Sequence, residues 1–206
     1  MARSLPTAVV FDVGNVIVEW DVRAFYARLI PDPERLDWFC REVVSPAWHF
    51  QHDQGRAFAE TSAELIARFP AEADLIRLYG PRFNETVPGP VPGMVELVEQ
   101  LAARGVPLFA ITNFSHEFWP PFRAQWPLFD HFTDIVVSGE ERLTKPDPAI
   151  YELALRRFGL APGEALFIDD RAENVVAAEA NGFVGHHFAN AEGLSAELAR
   201  LGLLPQ

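Results

Sequence analysis

A single cysteine, Cys40, leaves this chain without any internal disulfide. Its helical spacing with Leu36, Phe39, Val43 and Val44 reads as packing and not as a nucleophile. Basic residues are also scarce, with 17 Lys+Arg against 29 Asp+Glu and a formal net charge of −12. Such a field repels phosphate backbones and anionic lipid, so neither nucleic acid nor a membrane is an expected partner. No apolar run approaches the roughly 20 residues of a membrane span. The opening residues Met1-Ala2-Arg3-Ser4-Leu5-Pro6-Thr7 lack the apolar stretch of a signal peptide, and the expected compartment is the cytoplasm. There is no internal repeat and no low-complexity tract.

What is present suits a folded globular chain. Hydrophobic residues make up 49% and charged residues 22%, ordinary for a globular chain, and 206 residues accommodate one core plus an inserted module. Ala8-Val9-Val10-Phe11 is a short continuous apolar run ending on Asp12, the pattern of a strand buried on both faces. Leu108-Phe109-Ala110-Ile111 ends on Thr112, Ile135-Val136-Val137 on Ser138-Gly139, and Ala165-Leu166-Phe167-Ile168 on Asp169-Asp170. Between them Met94, Leu97, Val98 and Leu101, and then Ile150, Leu153, Ala154 and Phe158, keep helical spacing. Gly105, Gly159 and Gly182 stand where such helices need a left-handed cap. The alternation predicts an α/β, Rossmann-like parallel sheet whose ligand binds beyond the carboxyl ends of the strands. From about 21 to 87 the apolar residues, such as Phe58, Leu65, Ile66 and Phe69, recur only at helical spacing. Residues 1–20 and 88–206 are therefore expected to form the core and 21–87 an inserted helical domain. The stiff linker Pro88-Gly89-Pro90-Val91-Pro92-Gly93 would return the chain.

Four clusters then converge on one edge of the sheet: Asp12-Val13-Gly14-Asn15, Thr112-Asn113, Lys145-Pro146-Asp147-Pro148 and Asp169-Asp170. They combine a nucleophile, a hydroxyl with backbone donors, a point positive charge and paired carboxylates, a set that suits phosphoryl transfer with a hard cation. Each has a bland reading as a turn residue, a solvated lysine or a helix cap. Four such readings at one binding edge are the weaker explanation.

In this order, with a helical insertion between the first two, the clusters resemble the motifs of the haloacid dehalogenase superfamily, and the insertion is similar to its cap. The resemblance spans nearly the whole chain. It implies that Asp12 attacks the substrate covalently, while Thr112 and the Asn113 amide hold the transferring oxygens and Lys145 neutralises them. It further implies Asn15 among the substrate-binding residues and Mg²⁺ held by Asp12, the Gly14 carbonyl, Asp169 and Asp170. Asp170 is the expected direct ligand, with Asp169 and Asn174 in support.

The sequence departs from the family's phosphatases at Gly14, where they carry a second Asp that protonates the leaving oxygen and activates water. Such a group is typically worth ~10²–10⁴-fold. The preferred expectation is a Mg²⁺-dependent phosphomonoester hydrolase acting on a small phosphorylated metabolite. It is similar to a sugar-phosphatase subgroup with the same Asp-x-Gly-Asn motif, whose anomeric leaving group needs less protonation. A 2-haloacid dehalogenase is the alternative, because a halide leaves without a proton. Without a cation, however, Asp169 and Asp170 would repel Asp12. A noncatalytic phospholigand-binding protein is the third reading.

His49, His52 and Asp53 could be drawn as a metal site, but solvated or substrate-facing roles are expected for them. Trp48, His49 and Phe50 are expected to help form a pocket roof. Arg23, Arg28 and Arg41 read as exposed helix arginines, His186-His187 as a strand end, and Trp119, Phe122 and Trp126 as packing.

Overall fold

A computed structural model describes residues 5–205. Five parallel strands form one sheet: β1 (Ala8–Phe11), β2 (Leu108–Thr112), β3 (Asp134–Val137), β4 (Ala165–Asp169) and β5 (Val184–His187). Their order is β3-β2-β1-β4-β5. Every residue of β1, β2 and β4 is buried, as continuous apolar runs require. The central strand β1 is flanked by β2 and β4, with Phe11 opposite both Ala110 and Ile168. This register brings the chain beyond β1 level with the ends of both neighbours, and the Asp12 N–H donates to the Ile168 carbonyl at 2.8 Å. His186 and His187 close β5, as expected of a strand end.

Between β1 and β2 lie α1 (Val22–Ala27), α2 (Pro33–Trp38), α3 (Pro46–Asp53), α4 (Phe58–Arg68) and α5 (Ala73–Leu78), followed by α6 (Met94–Ala103). Asp21, Asp32 and Ser45 cap α1, α2 and α3 through side-chain oxygens, which explains where these helices start. The chain on either side of the insertion runs side by side: Glu19 N–H donates to the Gly89 carbonyl at 2.9 Å and Asp21 N–H to the Thr86 carbonyl at 2.7 Å. Cys40 is half-buried in a π turn and packs against the core.

The remaining helices, α7 (Trp119–Arg123), α8 (Ser138–Glu141), α9 (Pro148–Phe158), α10 (Ala172–Ala180) and α11 (Ala191–Arg200), complete the layers around the sheet. Side chains alternate along β1, so Val9 and Phe11 join one apolar cluster with Leu97, Val98 and Leu101 of α6. Ala8 and Val10 join the other with Ile150, Tyr151 and Ala154 of α9. Burying each large aliphatic side chain of α6 stabilises the layer by ~1.5–3 kcal/mol. Gly105, Gly159 and Gly182 have φ of 72°, 68° and 98°, the left-handed caps the sequence predicts. Trp119 and Phe122 are buried and pack with tilted rings at 5.6 Å, and Trp126 packs beside Phe122 at 6.0 Å.

The insertion touches the core where α3 meets α8. Ser138 Oγ donates to the Asp53 carbonyl at 2.7 Å and accepts from the Phe114 N–H at 3.0 Å. Next to it Gly139 has no room for a side chain, since a Cβ would stand 2.6 Å from His116 N and 2.8 Å from the Phe114 carbonyl. No helix among the described residues is long and apolar enough to cross a membrane.

Candidate active site

The floor of the site is a buried chain of charges. Asp12 follows β1 directly, and its Oδ1 accepts from the Val13 N–H at 2.6 Å. Lys145 Nζ stands 2.9 Å from Asp12 Oδ1 and donates to Asp169 Oδ2 at 2.7 Å. Lys145 is the only lysine of the chain and is 2% exposed. Its main chain is gripped from both sides by Asn113, whose Oδ1 accepts from Lys145 N–H at 2.8 Å and whose Nδ2 donates to the Lys145 carbonyl at 3.0 Å. Asp169 is fully buried: Asn174 Nδ2 reaches both carboxylate oxygens at 3.0 Å and the Arg171 N–H reaches Oδ1 at 2.9 Å.

Burial pushes the Asp12 carboxyl up to about 7, Asp169 adds to the rise and Lys145 opposes it. Burial also pulls on Lys145, yet the two carboxylates hold its ammonium above the ordinary lysine value. Asp170 is raised too, by burial first and by Asp169 second. Carboxylate oxygens of Asp12, Asp169 and Asp170 lie within 4.8 Å of one another. This is an all-oxygen donor set with excess negative charge, the chemistry that fits a hard divalent cation. His49, His52 and Asp53 do not form such a group among the described residues.

Above the floor is a cavity of about 150 Å³. Val18 and Trp20 reach it from the segment after β1, His49, Phe50 and Asp53 from α3, Phe83 and Val87 from the end of the insertion, and Phe114 from the loop after β2. His49 stacks parallel to Phe83 at 6.0 Å and tilts against Trp20 at 4.6 Å. Its Nδ1 is 2.6 Å from the Tyr79 hydroxyl and its Nε2 is 3.5 Å from Asp53 Oδ1. Asp53 Oδ1 is buried and makes no hydrogen bond. Burial lowers His49 to about 3, with His52 contributing, and burial lowers His52 to about 4, so both rings are neutral at pH 7. Burial drives the Asp53 carboxyl well above its ordinary range, with Asp12 adding and Lys145 opposing.

Of the residues expected at the site, Asp12, Gly14, Asn15, Asn113, Lys145, Asp170 and Asn174 share this cavity. Thr112 and Asp169 are buried within strand ends and are not on its wall. Asn15 lies on the rim in a left-handed turn (φ 56°), with Oδ1 accepting from Trp20 N–H at 3.1 Å, so its oxygen serves the loop. His49 and Phe50 line the roof as expected, whereas Trp48 lies behind it, its Nε1 donating to the Thr61 carbonyl. His52 is buried as well, paired with Thr61 Oγ1 at 2.7 Å. Arg23, Arg28 and Arg41 are exposed and paired with Asp37, Glu85 and Glu42. The walls at Val18, Trp20, Phe83, Val87 and Phe114 were not anticipated. Their only signal is adjacency, since each lies within a few residues of a motif or of the linker.

Parallel strands with Asp12, Lys145 and the acidic pair at one edge are matched by the sequence comparison. The profile of the haloacid dehalogenase-like hydrolases covers residues 6–182. The chain belongs to this family. A sesquiterpene phosphatase of Aspergillus oryzae is 28% identical over 200 residues, covering 94% of this chain and 95% of that protein. Phosphoglycolate phosphatase 1 of Pseudomonas aeruginosa is 30% identical over 199 residues, covering 88% of this chain and 68% of its own. Among solved structures, a haloacid dehalogenase family enzyme of Bacteroides thetaiotaomicron in complex with magnesium and inorganic phosphate has a TM-score of 0.70 at 18% identity, over 93% of this chain and 98% of that one. The L-2-haloacid dehalogenase of Xanthobacter autotrophicus shares the fold at a TM-score of 0.61 and 20% identity, over 97% and 85% of the two chains. This haloacid dehalogenase-like hydrolase thus has phosphatases among its sequence relatives, and an enzyme that binds magnesium and phosphate and a dehalogenase among its fold relatives.

Proposed function

We propose that this hydrolase is a Mg²⁺-dependent phosphomonoesterase acting on a small phosphorylated metabolite, with Asp12 as the nucleophile. The observation that carries the reading is the cluster of Asp12, Asp169 and Asp170 oxygens with Lys145 embedded in it. In a metal-free dehalogenase these carboxylates would stand together with only one ammonium to offset them. Asp12, the Gly14 carbonyl and Asp170 are the groups that would hold the ion, which would supply charge neutralisation to the transferring phosphoryl group. Asp169 already has both oxygens hydrogen-bonded, and its role is to hold Lys145. Asp12 attacks phosphorus, Lys145 offsets charge on the transferring oxygens, and Asn113 keeps Lys145 in position. Residues 21–87 act as the cap and the rest as the core, with water excluded by the aromatic roof.

The roof also bears on the substrate. Val18, Trp20, Phe50, Phe83, Val87 and Phe114 face the floor, and a sugar would find few partners there for its hydroxyls. A phosphomonoester with an apolar organic group fits these walls better than a sugar phosphate, in keeping with a sesquiterpene phosphatase among the relatives. A panel of prenyl, aryl, sugar and 2-carbon acid phosphates, plus 2-chloropropionate, tests both levels with Mg²⁺ and with EDTA. Phosphate release that needs Mg²⁺ and is greatest for apolar esters is expected. Metal-independent chloride release without phosphate release would overturn the reading.

A further inference from the structure

A Cβ built on Gly14 would meet no heavy atom within 4 Å, so glycine stands there without steric need and supplies no proton donor. Six groups on the cavity wall carry a titratable proton: Asp12, His49, Asp53, Lys145, Asp170 and Arg171. Asp12 and Asp170 belong to the nucleophile and cation set, and Lys145 is bound to Asp12 and Asp169. Arg171 pairs with Glu173 and, as a guanidinium, does not give up its proton. His49 is stacked between Trp20 and Phe83 and tied to Tyr79. Asp53 remains, with an oxygen nine-tenths buried that makes no hydrogen bond and has His49 Nε2 beside it at 3.5 Å. An unpartnered buried carboxyl oxygen is costly and calls for a use.

We propose that Asp53 is the general acid and base of this enzyme, supplied by the insertion in place of the residue that Gly14 does not provide. This rests on the phosphomonoesterase reading above. Asp53 is set by the core as much as by its own helix. Ser138 Oγ holds its carbonyl, and the backbone at Gly139 packs against His52 and the loop carrying Phe114, next to the Asn113 that clamps Lys145. The Tyr79 hydroxyl directs His49 toward Asp53, making His49 and Tyr79 positioning residues. Burial, with the charge of Asp12 adding to it, raises the Asp53 carboxyl well above its ordinary range, the direction a general acid requires.

In the first step an Asp12 oxygen bonds phosphorus as the bond from phosphorus to the ester oxygen breaks, and the Asp53 proton passes to that oxygen, which leaves as a neutral alcohol. In the second step the Asp53 carboxylate takes a proton from water while the water oxygen bonds phosphorus. The acyl phosphate bond breaks, inorganic phosphate leaves, and both carboxyl groups return to their starting forms.

Wild type and Asp53→Asn would be compared with Mg²⁺ on a primary alkyl phosphate and on 4-nitrophenyl phosphate, whose leaving group needs no proton. Alkyl turnover is expected to fall ~10²–10³-fold, while the first-turnover release of nitrophenolate stays within ~3-fold and acid-quenched samples accumulate the Asp12 acyl phosphate. The ratio of the two first-turnover rates does not depend on the folded fraction, so a folding defect cannot imitate this result. In wild type, which needs no substitution, kcat/KM across a series of alkyl and aryl phosphates should vary weakly with leaving-group acidity. Equal losses on both substrates, or a steep dependence already in wild type, would overturn the role of Asp53 while leaving the phosphatase reading intact. A wild type that hydrolyses neither ester sinks both together.

Discussion

The floor and the roof of one cavity handle buried polarity in opposite ways. Below, Asp12, Lys145, Asp169, Asn113 and Asn174 form a network in which both Asp169 oxygens and the lysine head are bonded and, of its buried side-chain atoms, Asn174 Oδ1 alone lacks a partner. Above, two histidines are held neutral, and Asp53 Oδ1, His52 Nδ1 and Trp20 Nε1 are left unpaired among aromatic rings. A satisfied network fixes geometry, whereas an unsatisfied group stores a cost that only a ligand or a reacting atom relieves. On the proposed reading, the contrast separates the part of the site that holds the phosphoryl group from the part that handles the proton.

The sharpest way to test the floor is Asp12→Asn. Turnover should drop on the order of 10⁴-fold or more, since the proposed nucleophile is gone. Stability by urea denaturation should hold or rise, because one of the crowded carboxylates is neutralised while Lys145 keeps Asp169. Lys145→Met should do the reverse to the fold, costing ~3–5 kcal/mol by leaving Asp12 and Asp169 without their shared cation. A Lys145→Met protein as stable as wild type would break the view of the floor as a charge-paired unit. Where roof meets core, Gly139→Ala forces a methyl group against His116 and Phe114 and should cost ~1–3 kcal/mol in the same measurement.

The smallest effect concerns pH. An unfolded histidine takes up its proton near 6.5, whereas folded His52 does so only near 4, so this residue subtracts stability as pH falls from 6.5 toward 4. His52→Gln should remove that loss, flattening the stability profile relative to wild type by up to ~1.4 kcal/mol per pH unit in that window. Parallel profiles for the two proteins would show that His52 is not held neutral by the fold.

The floor was largely legible in the sequence because its residues follow continuous apolar strands, and a parallel sheet gathers strand ends by itself. Asp12 and Asp170 directly follow β1 and β4, whereas Lys145 lies in the loop between α8 and α9 and is picked out by the resemblance to the family's motifs. The strand β5 was less visible, since Val184-Gly185-His186-His187 is polar and partly exposed at the sheet edge. Thr112 looked like a substrate contact but is buried in pairing between β2 and β3. The roof was the opaque part. Trp20, Asp53, Phe83 and Phe114 come from four separate segments, and helical periodicity says which face is apolar without saying what that face is aimed at. His49, His52 and Asp53 were recognisable as a polar group, but their burial comes from the aromatic neighbours that folding brings in.

Lys145 has a further consequence as the only lysine in the chain. Every other fixed positive side chain is an arginine, so an amine-selective reagent has no competing side-chain target. In the native protein this amine is enclosed between two carboxylates. Labelling with such a reagent, followed by peptide mapping that separates Lys145 from the α-amine, therefore turns the proposed catalytic floor into its own conformational reporter. A single added mass at Lys145 marks the molecules in which the site has opened, with no probe introduced and no residue replaced.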